Sequence, residues 1–126
     1  MNTILYIGFG GFIGAVLRYI ISGSVQQWVK PGFPYGTLVV NILGCLMIGI
    51  LSYLTETRST FSPEIRSFVF IGLLGAFTTF STFSNETVGL FKGSAGSLAL
   101  ANVSIHLVLG LAAVWFGNMA ARLMWR

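Results

Sequence analysis

The sequence predicts an all-α integral membrane protein with four transmembrane helices, and three observations carry that reading. Only 8% of the 126 residues are charged, where a soluble domain carries about a quarter. Mean hydropathy is +0.85, and 55% of the residues are hydrophobic. The few charges leave long stretches bare, and about 20 apolar residues suffice to cross a bilayer as a helix. A chain this small cannot coat a water-facing surface with so few polar groups, which excludes a soluble enzyme and a disordered tail. The 16 glycines follow no triplet period, which excludes collagen.

The elements follow in chain order. Met1–Leu17 is uncharged for 17 residues, and after Arg18 no charge appears before Lys30. This predicts a first span near 3–25. It reads as a retained helix, because no Lys or Arg precedes it and no clear small-x-small cleavage site follows. Lys30-Pro31-Gly32-Phe33-Pro34 cannot continue a helix and marks a turn. The 25 uncharged residues of Pro31–Thr55 hold a second span near 36–55. Glu56–Ser62 is a short polar loop, after which Ser62-Pro63-Glu64 supplies an N-cap, a proline at the first helical position and an acid in the first turn. The third span, near 64–91, covers the uncharged run Ser67–Asn85 and is closed by Lys92-Gly93-Ser94. Gly93–Ala121, uncharged for 29 residues, holds the fourth near 95–121. Together these make residues 1–126 one transmembrane domain.

Net charge is +4 and the isoelectric point about 9.7, but the basic residues stand singly along the chain. A nucleic-acid footprint needs them clustered on one face, so they read as cations flanking spans, with no nucleic-acid partner. Four spans put Arg58, Arg66, Arg122 and Arg126 on one side, against Lys30, Lys92 and Arg18 on the other. Four against three leaves two readings open: a single orientation, or dual insertion with oppositely oriented copies pairing. The single Cys45 lies in an apolar run, which provides no disulfide framework and reads as a small packing residue.

Polar side chains inside lipid are costly, which makes each a functional candidate. Six hydroxyls, an amide and a carboxyl crowd into the ten residues Thr78–Thr87, interleaved with Phe77, Phe80 and Phe83. Phe80 and Phe83 share a helical face, with Thr79, Thr82 and Glu86 beside them and Ser81 and Ser84 on an adjacent strip. Gly72 and Gly75 precede this run. Two readings fit: an unbroken helix with small residues for close packing, or a helix broken at mid-membrane whose freed backbone groups bind protein or an ion. Asn41 lies in the second span; Asn102 and His106, four apart, share a face of the last. Each is either an interhelical clasp or a ligand group. Arg18 either snorkels or lines an aqueous vestibule. Gly10 and Gly14 form a small-xxx-small packing surface in the first span.

Catalysis is not indicated. The chain has no Asp, one His, one Cys and three Glu, without usable spacing for zinc or two-carboxylate chemistry. Proton-coupled export by a small multidrug-type antiporter is the main rival, and it requires an embedded carboxylate. Spans one, two and four carry no acid, and Glu86 sits toward the end of span three. Hydroxyls, amides, an imidazole and the positive rims of aromatic rings instead suit a small anion that must trade water's hydrogen bonds for equivalents.

Three stretches carry a family resemblance: GFIGAVLRY at 11–19, GTLVVN at 36–41 and GAFTTFSTFS at 75–84. They resemble the Fluc (CrcB) fluoride-channel family, in motif order, span number and length over nearly the whole chain. The threonine-phenylalanine-serine run is its most specific element. The resemblance implies an antiparallel dual-topology homodimer in the bacterial inner membrane, with the third helix broken. It implies passage of fluoride down its gradient, relieving fluoride toxicity in microbes. Carried residue by residue, it assigns Phe80 and Phe83 to an aromatic box and Asn41 to a pore-lining amide. Thr37, Ser81, Thr82 and Glu86 fall to the polar part of the ion pathway. Gly75 and Thr78 match a helix break whose backbone carbonyls, from both subunits, hold a sodium ion at the dimer centre. Arg18 matches a vestibule arginine; His106, which matches no fixed family residue, is grouped with it.

Overall fold

The computed structural model describes residues 2–29, 31–58 and 61–125. Lys30 and Arg126, two of the expected flanking cations, lie outside them, as do the Arg58 side chain and residues 59–60. Glu56–Arg58, expected in a polar loop, instead continue the second helix because no breaker stands before them. The elements are α1 (Asn2–Trp28), α2 (Tyr35–Arg58), α3 (Pro63–Arg66), a π-helical stretch (Ser67–Leu74), α4 (Gly75–Phe77), α5 (Phe80–Lys92) and α6 (Gly96–Met124). No strand occurs among the described residues. Four helical stretches, Asn2–Trp28, Tyr35–Thr57, Pro63–Lys92 and Gly96–Met124, are long and apolar enough to cross a membrane. The protein is a multi-pass membrane protein.

Local chemistry sets the ends. α1 runs on to Trp28, beyond the expected 25, because no breaker precedes Pro31 and Gln26 is used structurally. Gln26 Nε2 donates to the Phe33 carbonyl at 3.1 Å, and Gln26 Oε1 accepts the Gly36 N–H at 3.1 Å, so one amide holds the turn into α2. Ser62 caps α3 through Oγ, accepting the Ile65 N–H at 3.4 Å, with Pro63 at the first helical position. The chain then widens into the π-helical stretch, a feature that local composition does not announce.

Packing depends on small residues, as it must where lipid is as apolar as the helix surfaces. α1 lies against the π-helical stretch: a Cβ on Gly10 would collide with the Phe68 carbonyl oxygen, and one on Gly14 with that of Leu73. The expected small-xxx-small surface is therefore an intramolecular contact. α2 packs mainly along α6, where Gly49 meets the Val114 backbone and Gly117 meets that of Leu46. Large apolar side chains such as Phe12, Leu107 and Leu111 point outward, while the buried set includes Val40, Leu74, Phe77, Ala99 and Ala121. Polar atoms join α5 to α6: fully buried Asn102 donates Nδ2 to Thr87 Oγ1 at 2.9 Å, and that hydroxyl donates to the Phe83 carbonyl at 2.8 Å.

Candidate functional site

The site is built around two residues with extended backbone between α4 and α5: Thr78 (φ −91°, ψ 160°) and Thr79 (φ −153°, ψ 118°). Thr78 still completes the preceding turn, its N–H and its hydroxyl both donating to the Leu74 carbonyl at 3.1 and 3.0 Å. In a continuous helix the Thr79 N–H would bond the Gly75 carbonyl. Here it donates to Asn41 Oδ1 at 2.8 Å, while Asn41 Nδ2 donates to the Thr79 carbonyl at 3.1 Å. Thr79 Oγ1 then accepts the Thr82 N–H at 3.1 Å and so caps α5. Its hydroxyl also lies 3.1 Å from Thr82 Oγ1 and 3.2 Å from Ser81 Oγ.

α1 and α2 support this point from either side. Arg18 donates Nη1 to the Thr78 carbonyl at 3.4 Å. Gly44 lets α2 approach, because a Cβ there would collide with Thr78 Cγ2. The guanidinium and the N-terminal end of the α5 dipole place positive character on one short stretch of backbone.

Beside it runs a groove of about 360 Å³ whose lining includes Asn41, Cys45, Thr79, Phe80, Phe83 and His106. Phe80 is 79% exposed, and its ring centroid lies 5.5 Å from that of Phe83. Phe83 also packs on His106, with centroids 4.4 Å apart. Phe77 turns inward and is buried. Farther along α5, Thr37 donates its hydroxyl to Glu86 Oε1 at 2.7 Å; Glu86 Oε2 is buried without a hydrogen-bond partner among the described residues.

The expected site residues thus fall into connected groups. Asn41, Phe80, Phe83 and His106 share the groove; Ser81 and Thr82 surround the Thr79 cap; Thr37 and Glu86 form a bonded pair. Arg18 sits on Thr78, and Gly75 is exposed on the preceding turn. The sequence reading placed Thr79 beside the aromatic pair without giving it a role, and left out Gly44. Thr79 carries the N-cap signature of a hydroxyl residue three before Thr82, and Gly44 lies one helical turn from Asn41.

Residues 5–118 match the family described as CrcB-like protein, Camphor Resistance (CrcB). The chain is 49% identical to a Methanosarcina acetivorans protein named fluoride-specific ion channel FluC 1, covering 96% of this chain and 92% of that one. It is 47% identical to a Shewanella woodyi protein named fluoride-specific ion channel FluC, covering 94% of each. A Flavobacterium psychrophilum protein of the same name is 41% identical over 97% of this chain and 98% of its own length. A family match over most of the chain and relatives aligned over more than nine-tenths of their own length settle the membership: the chain belongs to the CrcB family.

Proposed function

We propose that the protein is a fluoride-selective channel of the cell membrane, passing fluoride down its electrochemical gradient and so lowering cytoplasmic fluoride. It is a transporter and not an enzyme. The observation that carries the reading is the Asn41 clamp on Thr79, which holds an interrupted backbone open beside Phe80 and Phe83. An amide nitrogen has two protons, and one of those on Asn41 is engaged by the Thr79 carbonyl. The other serves a fluoride ion that has shed water. Ring edges of Phe80 and Phe83 and the hydroxyls of Ser81 and Thr82 replace further water contacts, with Thr37 and Glu86 continuing the track. Arg18 and the α5 N-terminus hold positive potential over this route.

The working unit in this proposal is an antiparallel dual-topology homodimer, with the third span broken at mid-membrane. The near balance of loop cations supports it. Gly75 and Thr78 fit a sodium ion shared at the dimer centre: Asn41 takes the amide proton that would have occupied the Gly75 carbonyl, and Gly75 is exposed where a second copy can reach it. Sodium there supplies a fixed positive charge near the pathway.

Purified protein in liposomes loaded with potassium fluoride and treated with a potassium ionophore tests the function. Fluoride efflux far above chloride efflux is expected. Efflux that requires a pH gradient instead of a potential supports the antiporter, and no efflux removes both readings.

A further inference from the structure

His106 is the chain's single histidine, and its two ring nitrogens have different surroundings. Nδ1 lies 2.9 Å from the backbone carbonyl oxygen of Asn102. A carbonyl oxygen only accepts, so Nδ1 carries a proton and donates it. That fixes the tautomer of the neutral ring and leaves Nε2 as a bare lone pair. Nε2 is buried with no hydrogen-bond partner among the described residues. The ring packs on Phe83 and lines the groove shared with Asn41, Thr79 and Phe80.

The sign of the Nε2 interaction therefore depends on protonation. The neutral ring holds a buried lone pair at Nε2, beside the groove its residue lines, and repels an anion there. The imidazolium presents an N–H donor and a positive charge from the same place. We propose that His106 is an acid-activated anion-binding group of this groove, Nδ1 being fixed by Asn102 and Nε2 switching from repulsion to donation. The identity of the anion rests on the fluoride reading above. Fluoride passage then rises as pH falls and the imidazole takes up its proton.

The other ionisable groups around the groove are few. From α2, Cys45 lines it; from α5, Glu86 lies one turn beyond Phe83; from α1, Arg18 reaches Thr78. Residues 67–77 and the remainder of α6 up to Ala121 contribute none. Cys45 and Glu86 become anionic as pH rises and would also discourage an anion, whereas Arg18 keeps its charge. A signal specific to His106 is therefore needed, and a single histidine provides it.

The experiment labels histidine with nitrogen-15 in the reconstituted protein. Spectra are taken from about pH 5 to 8 at constant sodium, with fluoride or gluconate as the anion. The expected result is the Nδ1–H tautomer at high pH and a titration midpoint raised by fluoride. An Nε2–H tautomer, or a midpoint indifferent to fluoride, overturns the proposal. In parallel, efflux from wild-type liposomes, corrected for leak through protein-free vesicles, should rise about tenfold across this range, the effect of one charge-assisted donor. His106→Leu and His106→Gln should give flat profiles; a slope retained in both variants overturns the proposal. Absence of flux at every pH removes the channel reading, and the fluoride-dependent shift of the His106 signal still decides the site.

Discussion

Asn41 spends both ends of its amide on Thr79, accepting the N–H at 2.8 Å and donating to the carbonyl at 3.1 Å. One side chain thus replaces the backbone bond that the Thr79 N–H would have made in an unbroken helix, and adds a second donor to the carbonyl that opens α5. It is at once a structural clamp and, in the proposed pathway, a donor to the ion.

Asn41→Leu keeps approximate volume and leaves the Thr79 N–H unpaired, an orphan costing about 1–3 kcal/mol. Fluoride efflux per incorporated protein should fall about tenfold or more, and thermal unfolding should move to lower temperature. Asn41→Asp separates the two roles: it still accepts the Thr79 N–H but sets a carboxylate beside the anion's path. Efflux should be lost while more of the stability is kept. Unchanged efflux in Asn41→Leu would remove this residue from the pathway.

The three phenylalanines of the run divide by exposure. Phe77 is 4% exposed and Phe80 79% exposed. Phe77→Ala should cost about 3–5 kcal/mol through the cavity it leaves, with efflux retained by the protein that still folds. Phe80→Ile and Phe83→Ile keep apolar bulk and remove the ring edge, so efflux should fall with little change in unfolding temperature. Efflux measurements and unfolding curves on the same preparations make the comparison. Equal loss of efflux at all three positions refutes the division.

Glycines in α1 are not equivalent. A Cβ on Gly14 meets the Leu73 backbone, whereas one on Gly8 meets no atom within 4 Å. Gly14→Val should abolish a monodisperse peak on size-exclusion chromatography, because neither backbone can retreat without opening the bundle. Gly8→Val should elute as the wild type does. The reverse pattern would place the α1 contact elsewhere.

The spans and turns were legible because their signals are local. Charge-free length gives the helices, Ser62-Pro63 opens the third, and the Gly10/Gly14 spacing names the face of α1 that packs closely. The π-helical stretch was not legible, since Ser67–Leu74 reads as ordinary apolar helix and nothing in its composition marks the wider turn. Asn41, Phe80 and Phe83 could be named as candidates from chemistry alone. That Asn41 holds Thr79, and Gln26 the turn at Phe33, depends on partners that local pattern cannot pair; Thr79 lies 38 positions from Asn41.

Dual insertion should be visible in cells. Tags on the C-terminus should report from both sides of the membrane, since the flanking cations nearly cancel. Two lysines added to one loop should lock a single orientation and abolish efflux, with activity restored by coexpressing the oppositely locked chain. A uniform location in the wild type would count against the antiparallel pair.

The proposed sodium ion is the most demanding expectation. With the Thr79 N–H given to Asn41, the Gly75 carbonyl loses its helical partner, and hydrocarbon cannot solvate it. Among the described residues, the Thr78 carbonyl receives the 3.4 Å contact from Arg18 and keeps a lone pair free. Across a two-fold axis the same two carbonyls arrive from each copy, so about four oxygens converge on one point. A water can donate only two hydrogen bonds to them, whereas a small monovalent cation satisfies all and adds a positive charge near an anion's path. Changes to the Thr78 side chain should therefore matter less than Gly75→Leu, which crowds the surface a partner must approach. Thr78→Val keeps the carbonyl and the methyl facing Gly44, and should retain most efflux. Replacing sodium by a bulky organic cation on both sides of the liposome should suppress efflux, with sodium restoring it in a saturable manner. Normal efflux without sodium, together with a hydrogen-bonded water at this point in a high-resolution structure, would show that no ion is needed there.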